Sequence, residues 1–320
     1  MRRLFPVTDQ TSESEGRGEG GGAAGEWSFD ALADAYAYPD ASVYDPAASG
    51  PASAPASGPA SASGPASGAA FDPASASAPG AAGSAAGTGA GAASGPVART
   101  GAWLRANMVS TLDGAAQHDG RSQPISSAAD MRVFGTLRAL ADAVVVGAET
   151  VRQEGYRPAR AREAFAARRA AAGQGPAPAI AVVTASLDLD FSLPLFTAPL
   201  TPTLVLTGAS APADRVREAE RAGARVVVAG DGEGVDPARA VRALADLGLR
   251  RLLTEGGPRL LGQFTAAGVL DELCLTLSPT MTAGAAQRIA GGPSVVDPAR
   301  FALVSLLEES GYLFTRYRRV

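Results

Sequence analysis

Glu255-Gly256-Gly257-Pro258 stands between an apolar strand pattern, Arg251–Thr254, and a helical pattern that begins at Pro258. Glycines let a backbone approach a ligand closely, proline suits a first helical turn, and free amides at a helix start attract phosphate. A carboxylate just before such a turn faces whatever the turn holds, so the pattern points to ligand binding. Val146-Gly147-Ala148-Glu149-Thr150 is a second strand end of this kind, read equally well as a plain turn. Ser126 and Asp130 open a helix, where capping and the helix dipole explain both residues without a ligand. Asp113-Gly114 is ordinary turn chemistry. His118, in the polar stretch QHDGRSQ, reads as an exposed loop histidine, and Cys274 as a small, partly buried strand side chain.

Composition removes several chemistries. With one His and one Cys in 320 residues, no intrachain disulfide and no Cys/His zinc site can form. All 28 basic residues are Arg, which excludes Schiff-base and P-loop lysines. The G-x-G-x-x-G fingerprint is missing after the first strand, and Gly230-Asp231-Gly232-Glu233-Gly234 is merely a glycine-rich turn. No apolar run reaches the roughly 18 residues of a membrane span, and no secretory h-region follows MRRLFPVTDQ. A cytoplasmic protein without membrane or nucleic-acid partners is expected.

Those candidates must be positioned by elements, and composition says which part of the chain supplies them. Between Pro46 and Pro96, 48 of 51 residues are Gly, Ala, Ser or Pro, too little apolar surface to offset the entropy of ordering. Residues 1–96 carry net −7, residues 97–320 net +3. The first 96 residues are expected to be an unstructured acidic tail, with Trp27, Phe29, Tyr36, Tyr38 and Tyr44 as an alternative docking element. Residues 97–320 read as one domain that can bury a substantial core. Strand patterns fall at WLRANMVST, AVVVG (143–147), AIAVVT (179–184), TLVLTG (203–208), RVVVAG (225–230), RLLTEGG (251–257) and LCLTLSP (273–279). A helix capped by Ser126 or Ser127 runs to about Leu140, with Met131, Phe134, Leu137 and Leu140 at helical spacing. Others fall at 212–222, 237–247 and 258–267. The chain closes with a hairpin around Ser310-Gly311. Repeated βα units ending in an antiparallel pair give an α/β, doubly wound, mostly parallel sheet with antiparallel C-terminal edge strands. Ligands sit at the carboxyl ends of such strands.

Taken in order, NMVSTLDG (107–114), ISSAADMRVFGTLRALADAVVVGAETVRQEGYRP (125–158) and LLTEGGPRLLGQFTAAGVLDELCLTLSPTMTAG (252–284) resemble the reductase domain of riboflavin biosynthesis, a pyrimidine reductase family with a dihydrofolate-reductase-like fold. The resemblance covers about residues 100–320. It implies NADPH-dependent reduction of 5-amino-6-(5-phosphoribosylamino)uracil, with hydride passing to the sugar C1′ of the ring-opened imine, and a homodimer. It implies cofactor contacts for Ser126 and Asp130, reversing their capping-only reading, and for Gly147, Ala148, Glu149, Thr150, Gly256 and Gly257. Glu255 matches an acid near nicotinamide and substrate, serving orientation or a cationic imine. Asn107 stands where relatives often have Lys, and Glu154 near an A-D-D-P acid; these, Asp113 and Arg157, a candidate phosphate partner, are the implied substrate contacts. Arg215 is a candidate for a cofactor 2′-phosphate. Relatives often carry a zinc deaminase domain, whose H-x-E and P-C-x-x-C motifs are missing from residues 1–96, so reduction without deamination is expected. Reduction of another heterocycle or imine, and a non-catalytic nucleotide-binding or scaffolding role, are the alternatives.

Overall fold

The apolar runs become strands of a single sheet. The computed structural model describes residues 1–5, 27–44 and 100–320. Its strands are β1 (Arg2–Phe5), β2 (Trp103–Ser110), β3 (Ala143–Gly147), β4 (Ala179–Val183) and β5 (Leu204–Thr207). They continue with β6 (Arg225–Val228), β7 (Arg251–Thr254), β8 (Glu272–Leu277), β9 (Phe301–Glu309) and β10 (Tyr312–Arg319). The helices are α1 (Phe29–Ala35), α2 (Ala128–Leu140), α3 (Ala148–Gln153) and α4 (Glu163–Ala171). After them come α5 (Pro194–Thr197), α6 (Ala213–Arg221), α7 (Pro237–Asp246) and α8 (Pro258–Ala266).

The strands lie in the order β1-β9-β10-β8-β2-β7-β3-β4-β5-β6. From β8 to β6 every pairing is parallel, while β10, β9 and β1 add antiparallel strands at one edge. This is the architecture expected from the βα repeats and the closing hairpin. AVVVG is uninterrupted because both faces of β3 are covered. Val144 and Val146 join the cluster holding Val133 and Leu137 of α2 and Phe165 of α4; Ala143 and Val145 join Leu244 of α7 and Leu260 and Phe264 of α8. Of the four helix-spaced apolar positions in α2, only Leu137 and Leu140 are buried. Met131 is 51% exposed and Phe134 half-buried. β7 lies between β2 and β3, so the carboxyl ends of three strands distant in sequence meet at one place.

Two pieces of the expected tail are corrected by the structure. Residues 1–5 and 27–44 fold onto the domain, so the docking-element reading of the aromatics is the one supported; the low-complexity stretch lies outside the described residues. β1 pairs with β9, and α1, capped by Ser28, buries Leu32, Ala33 and Tyr36 against the α2 side of the sheet. Beneath it lies a buried charge cluster. Arg105 on β2 and Arg316 on β10 both bond Glu272 on β8, at 2.5 and 2.9 Å. Their remaining donors reach Tyr36 O (2.8 Å), Ala37 O and Ala35 O (2.7 Å), the carbonyls that end α1. Orphan carbonyls at a helix end need donors, and these two guanidiniums supply them.

Asp271, immediately before β8, accepts from Leu104 N at 2.8 Å. Burial pushes its carboxyl up to about 6. A folded-state value above the unfolded one gives stability that is complete below the unfolded pKa and lost as pH rises through the folded one. Wild-type stability should therefore lose on the order of 2 kcal/mol between pH 4 and 7 from this group. Denaturant titrations of Asp271→Asn across that range should show the slope flattened; an unchanged slope would remove Asp271 as its source.

Candidate active site

At the meeting point of β2, β7 and β3 lies a cavity of about 650 Å³. Its walls come from β2 (Asn107, Met108), one face of α2 (Asp130, Phe134, Arg138), the 153–162 segment after α3, and the β7–α8 turn. Helical spacing places Asp130, Phe134 and Arg138 on one stripe of α2, which is why Phe134 is only half-buried.

The two glycine turns touch each other. Gly147 N donates to Gly256 O at 3.0 Å. Gly256 has φ +84°, a conformation that favours glycine, and a Cβ on Gly257 would lie 2.8 Å from Thr150 Oγ1. A side chain at Gly257 would therefore displace Thr150 of the other turn, whereas a Cβ on Gly147 would meet nothing closer than 3.8 Å. The first turn of α8 has no side-chain cap, which leaves its amides open to a ligand.

Glu255 directly follows β7 and has both oxygens engaged. Arg138 Nε donates to Oε1 and Nη2 to Oε2, each at 2.6 Å. The Tyr156 hydroxyl donates to Oε2 and accepts from Arg138 Nη2 at 2.6 Å. Burial, then the neighbouring Glu255 charge, pushes the Tyr156 hydroxyl well above its ordinary range. The Arg138 guanidinium lies over the Phe134 and Tyr156 rings, 4.5 and 5.1 Å from their centroids. Glu255 and Arg138 together are neutral, so the carboxylate is held in place more than it is free to attract a cation.

Asp130 is nine-tenths buried. Ser126 Oγ donates to one oxygen at 2.5 Å and Thr276 Oγ1 to the other at 2.7 Å. Burial raises its pKa against those two hydrogen bonds. Ser127, not Ser126, caps α2 by accepting from Asp130 N. Asn107 is 8% exposed, and its Oδ1 has no partner among the described residues. An orphaned buried acceptor on a cavity wall calls for a donor on whatever fills the cavity.

Of the residues proposed from sequence, Asn107, Ser126, Asp130, Thr150, Glu154, Arg157, Glu255 and Gly257 line this cavity. Gly147 and Gly256 stand just behind it, bonded to each other, and Ala148 is buried in the core. Asp113 and Glu149 are not brought there. The Asp113 carboxylate accepts from Thr111 and from the amides of Thr282 and Ala283, fastening a loop, and those bonds lower its pKa. Glu149 is exposed and engaged by Arg152 and Gln153. Arg215 is also committed elsewhere: its guanidinium donates to Leu187 O and Leu189 O and lies over Phe191. Cys274 is buried, its thiol pushed up to about 12 by burial.

Sequence reasoning missed Arg138, Tyr156, Arg160 and Arg162. The four-residue steps from Asp130 through Phe134 to Arg138 carried a signal for the first; nothing local marked the others. A Cβ on Gly135 would collide with the Arg162 guanidinium, which therefore lies against α2. Burial and the Arg138 charge push the Arg162 pKa down, as two cations held near each other require.

Residues 102–310 match the family described as the RibD C-terminal domain. An Archaeoglobus fulgidus protein named 2,5-diamino-6-ribosylamino-4(3H)-pyrimidinone 5′-phosphate reductase is 27% identical over 219 residues, 68% of this chain and 99% of that protein. A Methanothermobacter thermautotrophicus protein of the same name is 31% identical over 178 residues, 56% of this chain and 78% of that one. A pyrimidine reductase-like protein from Corynebacterium diphtheriae superposes with TM-score 0.62 at 28% identity, covering 69% of this chain and 93% of its own. These matches bear out the resemblance read from the motifs: the chain belongs to the RibD C-terminal domain family.

Proposed function

We propose that the chain reduces the C1′ imine of a 5-phosphoribosylaminopyrimidine with NADPH. The observation that carries this reading is a cavity lined both by three arginines and by the strand-end turns. Arg157, Arg160 and Arg162 line it, and none has a carboxylate or carbonyl partner among the described residues. A phosphate supplies the missing anion, and guanidiniums match its geometry.

Other features of the lining fit a nicotinamide cofactor: an orphaned Asn107 Oδ1, an uncapped α8 first turn, and Gly257 too close to Thr150 for a side chain. Ser126, Asp130, Thr150 and Gly257 would hold NADPH there. Bound, it would supply a hydride to C1′ of the protonated imine, whose C=N π pair becomes the lone pair of the neutral amine. The protein's own part is placement. The arginines anchor the phosphate, Met108 of β2 and Phe134 of α2 supply apolar lining, and Glu255, fixed by Arg138 and Tyr156, presents a rigid polar edge. The sequence suggested the uracil base; the relatives' names favour the 2,5-diaminopyrimidinone, and both belong in one assay.

Incubating the full chain with NADPH and each substrate, and following nicotinamide absorbance, tests the reading. NADPH oxidation dependent on either substrate supports it; NADPH binding without reduction of either substrate favours the non-catalytic alternative. Arg162→Ala should raise substrate KM by about 10-fold or more through a lost charge-assisted contact, with NADPH affinity unchanged. An unchanged KM would move the phosphate away from Arg162.

A further inference from the structure

We infer that Tyr156 is a positioning residue for Glu255, a role that rests on the reductase reading above. The sequence Gln153-Glu154-Gly155-Tyr156 places it. α3 ends at Gln153, Gly155 turns the chain at φ +58°, and Tyr156 N returns to Val151 O at 3.1 Å. That turn carries the phenol under Arg138 and onto the Glu255 carboxylate.

Glu255 Oε1 has one donor, Arg138 Nε; Oε2 has two, Arg138 Nη2 and the Tyr156 hydroxyl. Arg138 lies on α2 and Tyr156 on the segment after α3, so the carboxylate is fixed from two directions. With the hydroxyl removed, the bidentate pair survives, but Arg138 and Glu255 are free to swing together as a unit. The phenol is the group that ties this pair to the 153–162 segment. All three residues line the cavity, and the Glu255 side chain is 6% exposed. A hydrogen bond to a buried carboxylate is roughly twice as strong as a neutral one, and networks of this kind act as one unit.

Tyr156→Phe keeps the ring and removes the donor. In the full chain, kcat should fall by about 10-fold, with substrate KM and NADPH affinity within about 2-fold of wild type. In the Glu255→Gln background the same change should cost no further turnover, because Tyr156 acts through Glu255. Tyr156→His, which restores a ring donor, should recover part of kcat and stands in if the phenylalanine variant does not fold. Unchanged kcat in Tyr156→Phe, or losses that multiply in the double variant, would overturn the inference while leaving the reductase reading intact. Wild type that binds NADPH and oxidises none with either substrate sinks both.

Discussion

Glu272→Gln should destabilise the protein by about 3–5 kcal/mol, the range for removing one partner of a buried ion cluster. Glu272 is fully buried between Arg105 and Arg316, whose side chains are 0% and 7% exposed. Burial alone would push the Glu272 carboxyl up; the charges and hydrogen bonds of Arg105 and Arg316 outweigh it and hold it low. Without the carboxylate, two buried guanidiniums share one neutral amide oxygen and the carbonyls at the end of α1, with no negative charge between them. The expected drop in Tm is roughly 10 °C, at about 2–4 °C per kcal/mol for a domain of this size. Residues 27–44 should become the first site of proteolysis, because α1 is fastened to the sheet through this cluster. The Glu272 contribution is present above the ordinary carboxyl range and lost as pH falls through its lowered folded value, so the gap between wild type and variant should narrow in acid. A destabilisation under about 1 kcal/mol at pH 7 would show that the cluster contributes little net stability, the other outcome known for buried ion pairs.

The second large effect is on turnover. Glu255→Gln should lower kcat by about 10- to 100-fold, with NADPH affinity near wild type. The amide keeps an acceptor for one Arg138 donor but turns an N–H toward the other, leaving Arg138 with a neutral partner beside Arg162. Two consequences follow from the same geometry: Glu255 loses its fixed place, and Arg138 gains freedom to move toward the bound phosphate. A rise in phosphate affinity accompanying lower kcat would identify the second effect. Steady-state kinetics separate them, and unchanged kcat would remove Glu255 from the chemistry.

Much of the frame was legible because it depends on local pattern. AVVVG, AIAVVT and the closing hairpin announce themselves through continuous burial and turn residues, and each became the expected strand. The strand-end turns were legible for the same reason, since Gly256-Gly257 and Gly147 serve close backbone approach. What was not legible depends on contacts distant in sequence. Asp113 has the composition of a ligand residue, yet its partners, the amides of Thr282 and Ala283, take it out of the cavity. Arg162 has no local feature to distinguish it from Arg157 or Arg160; only its packing on Gly135 does. Residues 27–44 were hidden most deeply. α1 has seven residues and lies outside the family match, and its anchor is a pair of arginines on strands far along the chain.

The most direct measurement follows the transferred hydrogen. With NADPH deuterated at both nicotinamide C4 positions, the full chain should yield a ribitylamino product carrying one deuterium at C1′, read by mass spectrometry and NMR. NADPH consumed with no deuterium at C1′ would contradict hydride transfer to the imine carbon, and with it the assignment of this cavity as a reductase site.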